Sequence, residues 1–135
     1  EKSYRAFGTE LGRDATPLEA GLARFVDLEK DFQGKQAMLD TGIRAKCVTL
    51  LIDGPADTDP WGKEALLLDG EKIGRLTSGG YSVAFGKQIG MGYVRPDLAE
   101  VGQKLKVRML LGEWDAVVAE DSPHDPTNLR IRQDG

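Results

Sequence analysis

The stretch Gly70–Leu98, GEKIGRLTSGGYSVAFGKQIGMGYVRPDL, decides the fold. Apolar residues alternate in it with small or polar ones, and glycines recur at positions 70, 74, 79, 80, 86, 90 and 92. Period-two alternation with glycines at the bends predicts short strands turning sharply around a small barrel. The stretch holds no cluster of acid, base and nucleophile. It reads as a wall or lid of a site, with any reaction centre elsewhere.

Working outward, Asp69-Gly70 is a two-residue hairpin signal between apolar runs at 64–68 and 72–76. Further strands are expected at 46–52, 81–85, 88–93, 104–110 and 113–118, with Gly112 turning the last pair. Asp53-Gly-Pro-Ala-Asp-Thr-Asp-Pro60 is a polar loop. The region before this β-rich part is helix-leaning. Thr16-Pro17 supplies an N-cap hydroxyl and a proline at the first helical position, and Glu19 falls in the first turn. Leu18, Leu22, Phe25 and Val26 then follow at helical spacing. A second short helix is expected over Lys35–Thr41 with Gly42 as its stop, and Phe32 is expected to anchor the intervening loop in a core.

The resulting expectation is a mainly β (α+β) chain: a sandwich or a small Greek-key or jelly-roll-like β-barrel of about six to seven strands after a short helical segment. Residues 1–45 form the helix-leaning segment, 46–120 the β-rich part, and 121–135 a loop-like tail. The chain opens at Glu1 without an initiator methionine or a capping signal, and reads as cut from a longer polypeptide.

Composition narrows the partners. Eighteen Lys and Arg stand against 22 Asp and Glu, a formal net charge of −4, with no basic stripe to meet a phosphate backbone. Nucleic acid is not expected as a partner. Nor is a membrane, because the longest apolar runs fall far short of the ~20 residues a spanning helix needs. The single cysteine, Cys47, excludes an internal disulfide and favours a reducing compartment.

Candidate chemistry is sparse. Ser78-Gly79-Gly80 with Gly86-Lys87 lacks phosphate-loop spacing, has Gln88 where Ser or Thr is required, and runs strand to strand. His124 lies between Pro123 and Asp125 with no serine or cysteine partner in view, as a solvated tail residue. Cys47 sits in an apolar strand, the setting of a buried small residue. Trp61, before Gly62-Lys63-Glu64, either plugs a barrel end or lines a cavity shared with a neighbouring domain, where Lys63 or Glu64 could bind a polar group. Tyr4, Phe7 and Tyr81 pose the same choice between aromatic core and stacking surface.

The segments EKSYRAFGTEL, DATPLEAGL and KDFQGKQAM, and the run PWGKEALLLDGEKIGRLTSGGYSVAFGKQIGMGYVRPDL continuing to VRML, resemble the glycine-cleavage T-protein (aminomethyltransferase) superfamily. The EKSYRAFGTEL form looks most like its dimethylglycine and sarcosine dehydrogenase branch. The resemblance implies a folate-binding region, of which residues 1–45 would be the helical C-terminal stub, followed by a C-terminal β-barrel over 46–120, with tetrahydrofolate in the cavity between them accepting a one-carbon unit. In the dehydrogenase branch it implies a separate N-terminal FAD domain that oxidises a small N-methylamine. The aspartate assisting the folate chemistry would lie before Glu1, so no catalytic residue is assigned here and the isolated chain is expected to be inactive.

By the same resemblance Glu1 matches the motif glutamate beside the folate cavity. Phe7 takes an aromatic position that is Tyr or Trp in many relatives. Glu64 stands where many aminomethyltransferases have arginine, which favours the dehydrogenase-like branch. Ser78 and Tyr81 match a TSGxYS-type turn facing the inter-domain region. The cofactor-binding set implied is Glu1, Tyr4, Phe7, Trp61, Glu64, Ser78 and Tyr81. The partner is the rest of the parent chain, in the cytoplasm or, in a eukaryote, the mitochondrial matrix. An aminomethyltransferase proper, a related folate-dependent demethylase and a non-catalytic docking module are the alternatives. Leu18, Leu22 and Phe25, stripped of a packing partner, would leave an apolar patch through which the chain could self-associate.

Overall fold

The computed structural model describes residues 1–132. Six antiparallel strands close into a barrel: β1 (Lys46–Ile52), β2 (Ala65–Leu68), β3 (Glu71–Ser82), β4 (Lys87–Val94), β5 (Lys104–Met109) and β6 (Gly112–Ala119). Their order around the barrel is β1-β4-β3-β2-β5-β6, with β6 returning to β1. β2, β3 and β4 form a meander, and β1 joins its far side next to β4, a Greek-key connection. Closure leaves no open edge strand.

The hairpin at Asp69-Gly70 forms with both residues left-handed, φ 51° and 82°, as a type I′ turn requires. Inward residues of each strand build one core: Val48, Leu50 and Ile52 from β1, Leu66 from β2, Ile73 and Leu76 from β3, Val94 from β4, Leu105, Val107 and Met109 from β5, and Ala116 and Val118 from β6. β5 shows strict alternation, with Leu105, Val107 and Met109 buried and the residues between them exposed.

The six strands fall within the expected six to seven; the run 72–76 and residues 81–82 belong to one twelve-residue strand, β3, and 83–85 form the turn into β4. Ser78-Gly79-Gly80 lies inside that strand, and the register slips between Leu76 and Ser78, so a bulge at Thr77 takes up the bend. Glycines on β4 serve close approach. A Cβ at Gly92 would stand 2.5 Å from the Arg75 carbonyl and 3.0 Å from the Leu76 Cα, which forces the two strands apart.

The first 45 residues differ more from expectation. The cap at Thr16 forms, but the chain passes through turns and a 3-10 turn at Ala23–Phe25, with no regular helix. Gly21 at φ 75° interrupts the run. Phe25 is 70% exposed and Leu18 and Leu22 are half-buried, so the apolar face expected there finds no core. Phe32 is 37% exposed and anchors nothing central. The helix α1 forms over Lys35–Thr41, and Gly42 ends it at φ 65°. The tail contains a short helical turn, α2, at Leu129–Arg132. His124 is half-buried and stands edge-on to Phe85, with ring centroids 6.5 Å apart, rather than solvated.

The glycine analysis yields a paired expectation. Gly92→Ala should lose about 2–3 kcal/mol in urea unfolding because backbone must move. Gly80→Ala, whose new methyl meets nothing within 4 Å, should stay within about 0.5 kcal/mol.

Candidate functional site

Strand β1 is buried on both sides. Val48, Leu50 and Ile52 fill the barrel, while Cys47 and Thr49, pointing outward, are also buried. The cover is a strap formed by residues 1–20. The strap docks through polar groups. Ser3 and Thr49 share a hydroxyl–hydroxyl bond of 2.7 Å, and the Cys47 N–H donates to the Glu19 carbonyl at 2.9 Å. Arg5 donates to the Ala20 carbonyl at 3.0 Å and to Asp121 at 2.7 Å, tying the strap to the tail. Burial pushes the Cys47 thiol up to about 11, so at neutral pH it is a protonated packing residue, as its apolar strand suggested.

Two carboxylates hold the strap. Glu10 is 2% exposed and accepts four hydrogen bonds. Its Oε1 takes the hydroxyls of Thr77 and Ser78, each at 2.6 Å, and its Oε2 takes the Thr9 hydroxyl at 2.7 Å and the Ala6 N–H at 3.0 Å. Burial pushes its carboxyl up, but the hydroxyls of Ser78, Thr77 and Thr9 and the Ala6 N–H outweigh it and leave it below the usual range. The Tyr93 phenol donates to the Glu10 carbonyl at 2.8 Å, and burial raises that phenol to about 12.

Glu19 is the second anchor. It closes a capping box with Thr16, accepting the Thr16 N–H at 2.8 Å while its own N–H donates to the Thr16 hydroxyl at 3.2 Å. Arg44 donates to the same carboxylate from its backbone N–H at 3.0 Å, from Nε at 2.9 Å and from Nη2 at 3.0 Å. The Arg44 hydrogen bond, chief among these, brings the Glu19 carboxyl down to about 2.

Beneath the strap, where β1, β3 and β4 run side by side, lies a cavity of about 280 Å³. Glu1, Ser78 and Tyr81 line it together with Thr49, Ile89 and Met91. Glu1 accepts from the Ser82 hydroxyl and from the Ala84 N–H at 3.2 Å, which together hold its carboxyl low. The Ser78 proton is committed to Glu10, so its lone pairs remain for the cavity. With the second oxygen of Glu1, the lining is rich in acceptors.

The other four residues of the expected set do not join this cavity. Tyr4, Phe7 and Trp61 lie 71%, 88% and 90% exposed on the surface. Trp61 therefore does not plug the barrel. Its N–H donates to Glu64 Oε1 at 2.8 Å in a tight turn, and Glu64 Oε2 is buried without a hydrogen-bond partner. Residue reasoning missed Glu10, Ser3, Thr49 and Ser82. Only the Thr16–Glu19 spacing carried a local signal. Glu10 meets Thr77 and Ser78 across more than 65 residues of chain, and no window of sequence records that.

Two outcomes follow from the clasp. Glu10→Gln should cost about 1.5–3 kcal/mol in chemical unfolding, because the amide oxygen can accept one pair of donors but the amide NH2 cannot accept the other pair. For Glu19 the folded carboxyl is depressed, so its stabilisation is present above the unfolded pKa near 4.5 and is lost as pH falls toward about 2. The thermal midpoint should drop across that window, and Glu19→Gln should flatten the drop.

A sequence profile described as the glycine cleavage T-protein C-terminal barrel domain matches residues 46–125. The dimethylglycine dehydrogenase (mitochondrial) of Rattus norvegicus is 40% identical over 146 aligned positions, covering all of this chain and 16% of that protein. The human dimethylglycine dehydrogenase has the same identity and coverage. An aminomethyltransferase of Desulfitobacterium hafniense is 41% identical over 106 positions, 75% of this chain and 28% of its own length. In three dimensions the glycine cleavage system aminomethyltransferase T of Bartonella henselae superposes on 93% of this chain, and 36% of its own, with TM-score 0.82 at 23% identity. At that identity the likeness speaks for the fold. The chain thus spans about a sixth of the dehydrogenases it matches, and it belongs to the glycine cleavage T-protein family, residues 46–125 being the C-terminal barrel domain.

Proposed function

We propose that this chain is the terminal barrel of a tetrahydrofolate-dependent one-carbon transfer enzyme of the dimethylglycine/sarcosine dehydrogenase kind. The observation that carries the reading is the acceptor-lined cavity under the strap, in a chain matched over its whole length by dimethylglycine dehydrogenases and over 75% by an aminomethyltransferase. At about 280 Å³ the cavity lies at the small end for a ligand site, so it suits one end of a larger ligand whose remaining walls belong to preceding chain. A reduced pterin carries several N–H donors, and the free oxygens of Glu1 and Ser78 are acceptors for them. The residues present fit that group.

When bound, tetrahydrofolate supplies the nitrogen that takes up the one-carbon unit. The part played by this chain is binding, orientation and exclusion of water. Tyr81 offers an aromatic face at the cavity wall. Glu10 orients the Ser78 hydroxyl so that its lone pairs face the ligand. The strap and the barrel wall keep bulk water from a reactive carbon centre. Tyr4, Phe7 and Trp61, exposed here, are assigned to the walls contributed jointly with the rest of the parent chain. Glu64 is assigned to the same boundary. FAD, in this reading, resides in a separate domain that oxidises the N-methylamine, and the protein works in the mitochondrial matrix of a eukaryote or the cytoplasm of a bacterium.

An aminomethyltransferase is the second reading, favoured by the 41% identity to the bacterial enzyme. Glu64 weighs against it, because its carboxylate is engaged by the Trp61 N–H in the turn where an arginine is expected. Activity of the intact protein on dimethylglycine or sarcosine with a flavin acceptor, set against transfer from an aminomethyl carrier, separates the two.

The cavity assignment has its own test. In the intact protein Ser78→Ala and Tyr81→Ala should each weaken tetrahydrofolate binding about tenfold, read by fluorescence titration, with Leu110→Ala as a remote control. Unchanged affinity in both would remove folate from this cavity. The 135-residue chain alone should show no folate-dependent turnover.

A further inference from the structure

Apart from the two buried carboxylates, a further polar cluster lies where the tail meets the first residues of the strap. Lys2 spends all three ammonium hydrogens on the tail: on the Asp125 carbonyl at 2.7 Å, Asp125 Oδ2 at 3.0 Å and Asn128 Oδ1 at 2.8 Å. The Lys2 and Asp125 side chains are only 23% and 9% exposed. Hydrogen bonding must be near complete to offset the desolvation of an ion pair so withdrawn from water, so this knot admits one geometry. Asp125 is fixed from its other side as well, its Oδ1 accepting the Leu129 N–H at 2.8 Å.

The knot grips the segment that supplies part of the cavity wall. Glu1 and Ser3 both line the cavity, and Lys2 lies between them in the chain. Glu1 reaches Ser82 and the Ala84 N–H on the barrel side, and Ser3 reaches Thr49, whereas Lys2 reaches the tail. The tail holds both neighbours of Lys2 too. The His124 N–H donates to the Glu1 carbonyl at 3.3 Å, and the Ser122 N–H donates to Ser3 Oγ at 3.1 Å. Arg5, itself bound to Asp121, donates to the Ser3 carbonyl. Among the described residues, none of 121–128 lines the cavity.

A second observation concerns the backbone. Seven non-glycine residues have left-handed φ among the described residues, and four of them sit in this joint: Ser3 at 53°, Ser122 at 53°, Asp125 at 48° and Asn128 at 57°. Aspartate and asparagine adopt that conformation readily, but the two serines do so at a cost. Those two serines bond to each other, and strain of this kind persists only where the surroundings fix it.

We propose that the Lys2–Asp125–Asn128 knot positions the Glu1 carboxylate in the cavity, so that ligand affinity depends on three side chains that never touch the ligand. The identity of the ligand rests on the tetrahydrofolate reading, whereas the positioning of Glu1 does not. Fixing Glu1 before the ligand arrives removes an ordering cost from binding.

Tetrahydrofolate titration of the intact protein, followed by fluorescence, tests it together with amide hydrogen exchange. Lys2→Met and Asp125→Asn should each weaken binding about five- to tenfold, and Asn128→Ala, which removes one bond of the three, about twofold. The first two change the net charge in opposite directions, so a loss in both excludes an effect of charge alone. Glu1→Gln combined with Lys2→Met should bind no more weakly than Glu1→Gln, because both act through one carboxylate. Lys106→Gln, which breaks a surface ion pair on β5, should bind as the wild type does. Without ligand, the Ala84 N–H that Glu1 accepts should exchange at least about threefold faster in Lys2→Met. The Cys47 N–H, held by the Glu19 carbonyl, should keep its rate.

Where Ser78→Ala and Tyr81→Ala do weaken binding, unchanged affinity in Lys2→Met and Asp125→Asn overturns the proposal. Opposite shifts in those two variants, or losses that add to that of Glu1→Gln, overturn it as well. So does an unchanged Ala84 rate, or an equal acceleration at Ala84 and Cys47, which marks a joint that only stabilises the fold. If Ser78→Ala and Tyr81→Ala bind normally, the folate reading falls, and the two exchange rates in Lys2→Met decide the positioning role by themselves.

Discussion

Two carboxylates buried between the strap and the barrel hold this structure together as a functional object. Taking a carboxylate out of water costs several kcal/mol, and only a full complement of donors offsets it. Glu10 meets that condition with three hydroxyls and a backbone N–H. Glu19 meets it with Arg44 and the Thr16 N–H. Because both sets of donors come from opposite sides of the contact, neither carboxylate is satisfied unless strap and barrel are in register. A greasy strap could slide along β1, whereas these bonds admit one seating.

That seating decides the character of the hollow beside it. By accepting the Ser78 proton, Glu10 turns the serine into an acceptor for the cavity with Glu1 and Tyr81. Glu19, by contrast, spends its carboxylate on Arg44 and the Thr16 N–H. The polarity of the hollow follows from hydrogen-bond capacity already used, and composition alone does not reveal it.

Legibility along the chain follows the range of the interactions. The Asp69-Gly70 hairpin, α1 with its Gly42 stop, and the alternation of β5 rest on contacts within a few residues, and each forms as the local pattern indicates. The run from Thr16 to Val26 has helical spacing too, yet it lacks a surface to pack on and Gly21 adopts a left-handed φ. Propensity and pattern give way where tertiary burial does not support them. The continuity of β3 through Gly79-Gly80 was hidden for a related reason. Paired glycines usually end a strand, and here the β4 partner and the bulge at Thr77 carry it on.

The amino-acid sequence by itself determined short glycine-bent strands of a small β fold and the family, because period-two alternation, tight turns and multi-residue motifs are local properties of the chain, whereas closure into a barrel needed the β6–β1 pairing. It also grouped Ser78 with Tyr81, three residues apart. Only the tertiary structure decided that Glu1 joins them, that Tyr4, Phe7 and Trp61 stay on the surface, and that Glu10 orients Ser78 from across the fold. It alone brought Arg44 onto the Glu19 carboxylate. The physical reason is the same in each case: a buried carboxylate draws its donors from wherever the fold brings them, and sequence distance does not limit it.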